Sequence, residues 1–130
     1  RHLRVSSVRP GELEDLGKLF AEPQLLDIPD GSQLIYLPSL VVPSGWSASN
    51  VDVWFAIPVG YPAARPDCFW AAGDLRLENG TMPANTGLQA LPGLGQQVVW
   101  FSWHVSSWSP TSDSLSTYAR FILRRFHDAR

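Results

Sequence analysis

Between residues 33 and 57 the apolar positions come in short runs rather than at helical intervals. Leu34, Tyr36, Leu40, Val41 and Val42 predict a strand over 33–42, interrupted near Pro38. The segment 51–57, VDVWFAI, is β-branched and aromatic with a single charge, which predicts a central strand, the best of the chain. DCFWA at 67–71 is a third strand candidate, and VVWFSWHV at 98–105 a short fourth. Helical spacing appears at the two ends. Leu13, Leu16 and Phe20 predict a short helix over 11–20, with Glu12, Glu14 and Asp15 near its start, where the helix dipole favours acids. Leu115, Tyr118, Ile122 and Phe126 form one apolar stripe, the clearest helix of the chain, over 111–127, with Ser112 or Asp113 as its expected cap. Residues 1–10 read as an irregular lead-in. Residues 73–97, with five glycines and two prolines, read as one long irregular connection, a length that usually marks function or mobility. The expected fold class is α+β: a small antiparallel meander of three or four strands flanked by an N-terminal and a C-terminal helix. We expect one domain, with residues 1–32 as lead-in and helix and 33–130 as core.

Composition narrows the function classes. The chain of 130 residues is 45% hydrophobic and 17% charged, which supports a sizeable core. Its formal net charge of −2 gives no general grip on nucleic acid or an anionic membrane surface, and neither is expected as a partner. The basic cluster Arg120, Arg124 and Arg125 is expected to be solvated helix surface. A single cysteine, Cys68, rules out an internal disulfide framework and a Cys-rich zinc site. His2, His104 and His127 lie far apart, so no metal spacing appears and neither metal nor cofactor is expected. No apolar run approaches a membrane span and no signal peptide is visible, so a cytoplasmic location is the default. The missing initiator Met suggests a trimmed chain or a piece of a longer one.

Candidate chemistry gathers around His104. In an extended segment Trp100, Ser102 and His104 share one face and Phe101, Trp103 and Val105 the other. Ser102 and His104 then stand as a hydroxyl nucleophile and its base can. The plainer reading is a core histidine that hydrogen-bonds backbone and orders the loop; metal ligation is a third. Thr81, in a turn, is another candidate hydroxyl. Cys68 lies inside a strand candidate and reads as a small buried hydrophobe. Trp46, Trp54 and Trp70 read as core or rim. Exposed coplanar tryptophans would instead indicate a β-domain that binds sugar or peptide.

Five strings in order resemble a known family. VPSGW at 42–46, YPAARPDCF at 61–69, NGTMP at 79–83, WFSWH at 100–104 and WSPTSDSLSTY at 108–118 resemble family E of the prokaryotic ubiquitin-conjugating enzymes, within the UBC-like superfamily. The resemblance implies a UBC-like fold over about residues 33–127. It makes Tyr61, Pro62, Pro66, Trp108, Pro110 and Asp113 structural motif residues. The implied partners are a ubiquitin-like protein, a ThiF-like adenylating activating enzyme and a JAB-type isopeptidase. In that superfamily the segment after Asn-Gly lies beside the one leading to Trp-Ser-Pro. This assigns the functional surface to Asn79, Gly80, Pro83, Trp100 and Trp103, with His104, Ser102 and Thr81 as candidate catalytic groups. Two departures stand at the chemical centre. The slot of the usual cysteine holds Met82 and Pro83, and DLRL at 74–77 stands where His-Pro-Asn is expected. The implied function is a conjugating-enzyme-like domain of a bacterial ubiquitin-like modification system without the usual cysteine. It is either active through a residue near His104 or an inactive scaffold that binds the ubiquitin-like protein or its activating enzyme.

Overall fold

The structure is a computed structural model that describes residues 8–130. The elements run α1 (Glu12–Gly17), β1 (Gln24–Asp27), β2 (Gln33–Val41), β3 (Asn50–Ile57), β4 (Phe69–Ala72), β5 (Thr86–Ala90), β6 (Gln97–Phe101) and α2 (Leu115–Phe126). All six strands join one antiparallel sheet in the order β1-β2-β3-β4-β6-β5. The α+β class therefore holds, and the sheet is larger than the three or four strands expected. It begins at Gln24, inside the segment 1–32 expected as lead-in and helix; residues 1–7 of the irregular lead-in expected over 1–10 lie outside the described residues.

The two additional strands have little apolar pattern to announce them. β5 reads TGLQA and is half-buried or exposed along its whole length. It sits at the sheet edge, where only one side must be paired. β1 is four residues long and half-covered. The stretch 73–97 is thus no single irregular connection, because it holds β5 and the turn into β6. At that turn Gly93 takes a φ of 77°, and a Cβ there would run into the Ile28 side chain. Glycine is what lets the β5–β6 turn close onto the β1–β2 turn.

Pro38 is accommodated at a bulge. The β2–β3 register shifts between Leu37 and Leu40, and Ser39 takes a φ of 50°. The Asp52 carboxylate accepts the Ser39 N–H at 2.9 Å. A proline lacks a ladder donor, so a bulge is where a strand tolerates one.

β3 and β4 lie at the centre of the sheet, and both sheet faces are apolar. On one face Ile35, Val53, Phe55, Phe69, Ala71, Val99 and Phe101 pack under α1 and under the Leu115–Tyr118–Ile122–Phe126 stripe of α2. On the other face Ile28, Leu34, Trp54, Trp70, Leu91 and Val98 form a second, smaller cluster. Along that face Tyr36, Trp54, Trp70 and Trp100 are successive cross-strand partners on β2, β3, β4 and β6. Trp46, Trp54 and Trp70 are buried, so they offer no exposed flat platform for a sugar.

α2 starts later than its pattern suggests. Its cap is Ser114, which forms a reciprocal capping box with Thr117. Asp113 is not the cap. Its carboxylate accepts the Ser109 N–H at 2.7 Å and closes the turn before the helix. A second carboxylate reaches the helix start from α1: Glu12 accepts the Leu115 N–H at 3.0 Å and the Tyr61 hydroxyl at 2.5 Å. Arg9 donates to the Glu12 carboxylate and, at 2.7 Å, to the Asp113 carbonyl. Nor is Arg125 solvated. It is 1% exposed, lies over the rings of Trp46, Phe101 and Trp103, and donates to the carbonyls of Ala84, Asp128 and Arg130.

The motif residues divide by role. The Pro62 carbonyl accepts the Trp108 indole N–H at 2.8 Å, Pro66 is buried, and Pro110 is exposed with its carbonyl on Arg9. Trp108 is half-buried against the main core and tilted against Tyr61. Trp108→Ala is accordingly expected to cost about 3 kcal/mol, the low end of the range for large aromatic truncations. Chemical denaturation measures this, and a loss below about 1 kcal/mol would contradict the packing role.

Candidate functional site

β4 and β6 are neighbours, with Phe69 opposite Phe101. One step beyond that pair, Asp67 and Cys68 enter β4 while Ser102 to His104 leave β6. Short backbone links hold the two ends together. The Cys68 N–H donates to the Trp103 carbonyl at 3.1 Å. From below, the Tyr118 hydroxyl of α2 reaches the Cys68 carbonyl at 2.8 Å and the Trp103 carbonyl at 3.3 Å. The Ser102 N–H donates to the Asn85 carbonyl at 2.9 Å, which fixes the segment entering β5 against the same place.

On this frame three side chains connect in series. The Ser102 hydroxyl lies 3.0 Å from Nε2 of His104, and Nδ1 of His104 lies 2.6 Å from an Asp67 carboxylate oxygen. A proton on Nδ1, facing the carboxylate, leaves Nε2 to accept from the hydroxyl. The His104 and Asp67 side chains are 57% and 54% exposed, so the relay opens to solvent. His104 is therefore not an enclosed core histidine. Beside it Cys68 is buried, with Sγ 4.0 Å from Nδ1 and a φ of 62°. Burial, reinforced by the nearby Asp67 charge, pushes its thiol up, away from the thiolate form.

The remaining sequence candidates lie apart. Thr81 is exposed, and its hydroxyl donates to Asn79 at 2.7 Å within their own turn. That turn hydrogen-bonds to the Gly45 segment, where Glu78 donates to Gly45 and Trp46 bridges Leu77. Gly80 takes a φ of 89° in it, and the Pro83 carbonyl accepts the Thr86 hydroxyl. Its link to the relay runs through Asn85 rather than through Asn79 or Gly80. Trp100 stands on the relay's side of the sheet, opposite Trp70 in the β4–β6 register. Trp103 turns to the other side, stacks on Phe121 and donates to its carbonyl at 3.0 Å. Asp67 was not among the expected catalytic residues. Its only sequence signal was the Pro-Asp of the PDCF string, and its partner lies 37 positions away.

The chain belongs to prokaryotic E2 family E, whose family model matches residues 22–129. No curated protein and no solved structure matches it. Among the described residues no helix is long and apolar enough to cross a membrane.

Proposed function

We propose that this domain handles an activated acyl group in a bacterial ubiquitin-like conjugation system, with Ser102 as acceptor, His104 as base and Asp67 as the group that orients the base. The observation that carries the reading is the unbroken Ser102–His104–Asp67 series, with spacings of 3.0 and 2.6 Å. Those contacts lie in the range that proton transfer requires. Family membership supports the class of partner, a ubiquitin-like protein and its activating enzyme; in this reading the activating enzyme is a ThiF-like adenylating one and a JAB-type isopeptidase supplies the releasing activity. The UBC-like fold of the superfamily is the architecture we assign to the helix, meander and closing helix.

In the reaction the Ser102 oxygen attacks the thioester carbonyl at the C-terminus of the ubiquitin-like protein. Its proton passes to Nε2, and the tetrahedral intermediate expels the activating enzyme's thiolate, which takes the proton back. The product is an oxyester on Ser102, open to attack by an amine. Cys68 is a poor alternative acceptor because burial keeps it a thiol. The cysteine slot of the family pattern stays occupied by Met82 and Pro83.

The test is incubation with the cognate activating enzyme, ubiquitin-like protein and ATP, read by intact mass. We expect a covalent adduct that survives thiol reductant and is released by hydroxylamine. An adduct released by reductant points to Cys68. Partner binding without any adduct leaves the scaffold reading, in which the domain holds the ubiquitin-like protein or its activating enzyme and transfers nothing.

A further inference from the structure

Asp67, Cys68 and His104 offer a carboxylate, a thiol and an imidazole whose ligating atoms all lie within 4.8 Å of one another. We infer that this cluster is a binding site for a thiophilic divalent cation, Zn²⁺ in the first instance, held by Asp67, Cys68 and Nδ1 of His104 with a fourth position open to solvent.

The donor set is the first reason. A thiolate, an imidazole and a carboxylate together select Zn²⁺ over the oxygen-seeking Mg²⁺ and Ca²⁺. Three protein ligands with a fourth position left to water is a coordination that Zn²⁺ adopts in proteins, in contrast to the closed four-ligand structural sites. Geometry is the second. A tetrahedral ion with bonds of about 2.0–2.3 Å holds its ligand atoms roughly 3.3–3.8 Å apart. The Cys68 Sγ to His104 Nδ1 distance of 4.0 Å needs a slight closing, and the 2.6 Å between Nδ1 and Asp67 a slight opening. Adjacent residues of an extended strand point to opposite faces. Cys68, at a φ of 62°, departs from that geometry, and both its thiol and the Asp67 carboxylate lie beside the one imidazole. Access is the third: Asp67 and His104 are more than half exposed, so an ion enters from solvent while the thiol waits at the base.

Binding releases the Cys68 thiol proton to solvent and places the imidazole proton on Nε2, with no change of oxidation state. Nε2 then donates to Ser102 instead of accepting from it. A loaded site is thus an inhibited one, a consequence that rests on the acyl-transfer reading. The binding itself does not. Acyl transfer needs Ser102 and not Cys68, and metal binding needs Cys68 and not Ser102, so the two readings fail separately.

Co²⁺ alone, followed by its absorption spectrum, is the probe, with Zn²⁺ as competitor. The protein carries His2→Ala and His127→Ala so that the other two histidines contribute nothing. We expect tetrahedral d–d bands and a thiolate-to-cobalt charge-transfer band, both removed by one equivalent of Zn²⁺. Losing even a residue that merely supports a ligand weakens metal binding about 10–100-fold. His104→Ala is therefore expected to weaken it by at least about 100-fold. Cys68→Ser, whose folding is checked by circular dichroism, should erase the charge-transfer band, whereas Ser102→Ala, which removes only the acceptor of the Nε2 proton, should keep that band with affinity lowered by no more than about 10–100-fold. Absence of bands with the protein well above micromolar concentration, or a charge-transfer band that persists in folded Cys68→Ser, overturns the site.

Discussion

His104→Ala is expected to slow formation of the Ser102 adduct by about 10²–10⁴-fold, the range that a positioned general base supplies, while partner binding stays as in the wild type. Single-turnover intact-mass measurement gives the rate, and circular dichroism confirms the fold. The side chain is more than half exposed, so its removal opens no cavity in the core. Ser102→Ala should abolish the adduct outright. Asp67→Asn is the more discriminating change. An amide can offer its N–H to Nδ1, which puts the imidazole proton on Nε2 and takes away the acceptor that Ser102 needs. A large loss in folded Asp67→Asn therefore belongs to the relay rather than to packing. If all three variants transfer at the wild-type rate, the acid–base role is gone.

The largest expected effect on stability comes from a carboxylate on the far side of the core. Glu12→Ala should cost about 3–5 kcal/mol, the range for breaking a buried charge network by removing one partner. The side chain is 7% exposed and accepts from Tyr61, Leu115 and Arg9. Its loss leaves the Tyr61 hydroxyl and the first N–H of α2 buried without an acceptor. Glu12→Gln keeps the volume and one acceptor, and should cost about 2 kcal/mol. Burial works to raise the Glu12 carboxyl. The hydrogen bonds from Tyr61, Leu115 and Arg9 outweigh it and hold the group below its ordinary value of 4.5. A carboxyl depressed in the folded state stabilises fully above its unfolded pKa, and that contribution is lost as pH falls through the folded one. Urea midpoints measured from pH 6 downward should thus fall below about pH 4.5 in the wild type. Glu12→Gln should lack that part of the decline; equal slopes would remove the linkage.

Pattern reveals an element when the element fills a buried face, or both faces as in a central strand, with apolar residues. α2 and β3 do so, and both were legible. β5 does not, since TGLQA is held by its ladder to β6 and by the turn at Gly93, neither of which writes an apolar pattern. Asp113 looked like a cap because an acid before a helix is one such signal, but Ser114 stands one residue nearer and Asp113 closes the preceding turn instead. Arg125 looked solvated because a charge defaults to the surface, and only the assembled rings of Trp46, Phe101 and Trp103 with three carbonyls make its burial tolerable. At the site, Ser102 and His104 were legible because their spacing places both on one side of an extended segment. Asp67 was not. Its approach to His104 depends on the β4–β6 register and on the left-handed turn at Cys68, and a single sequence displays neither.

Tyr118 gives the relay a rigid back and a free front. One phenolic oxygen on the inner face of α2 spans the Cys68 and Trp103 carbonyls, at the two strand ends that carry the reactive groups. The separation of those ends is thereby gauged from within the core as well as by the exposed His104–Asp67 contact. On the solvent side the exposed His104–Asp67 contact completes the frame, so an incoming carbonyl meets side chains that are already aligned. A helix usually valued for covering a sheet serves here as the jig against which the opposite face is set.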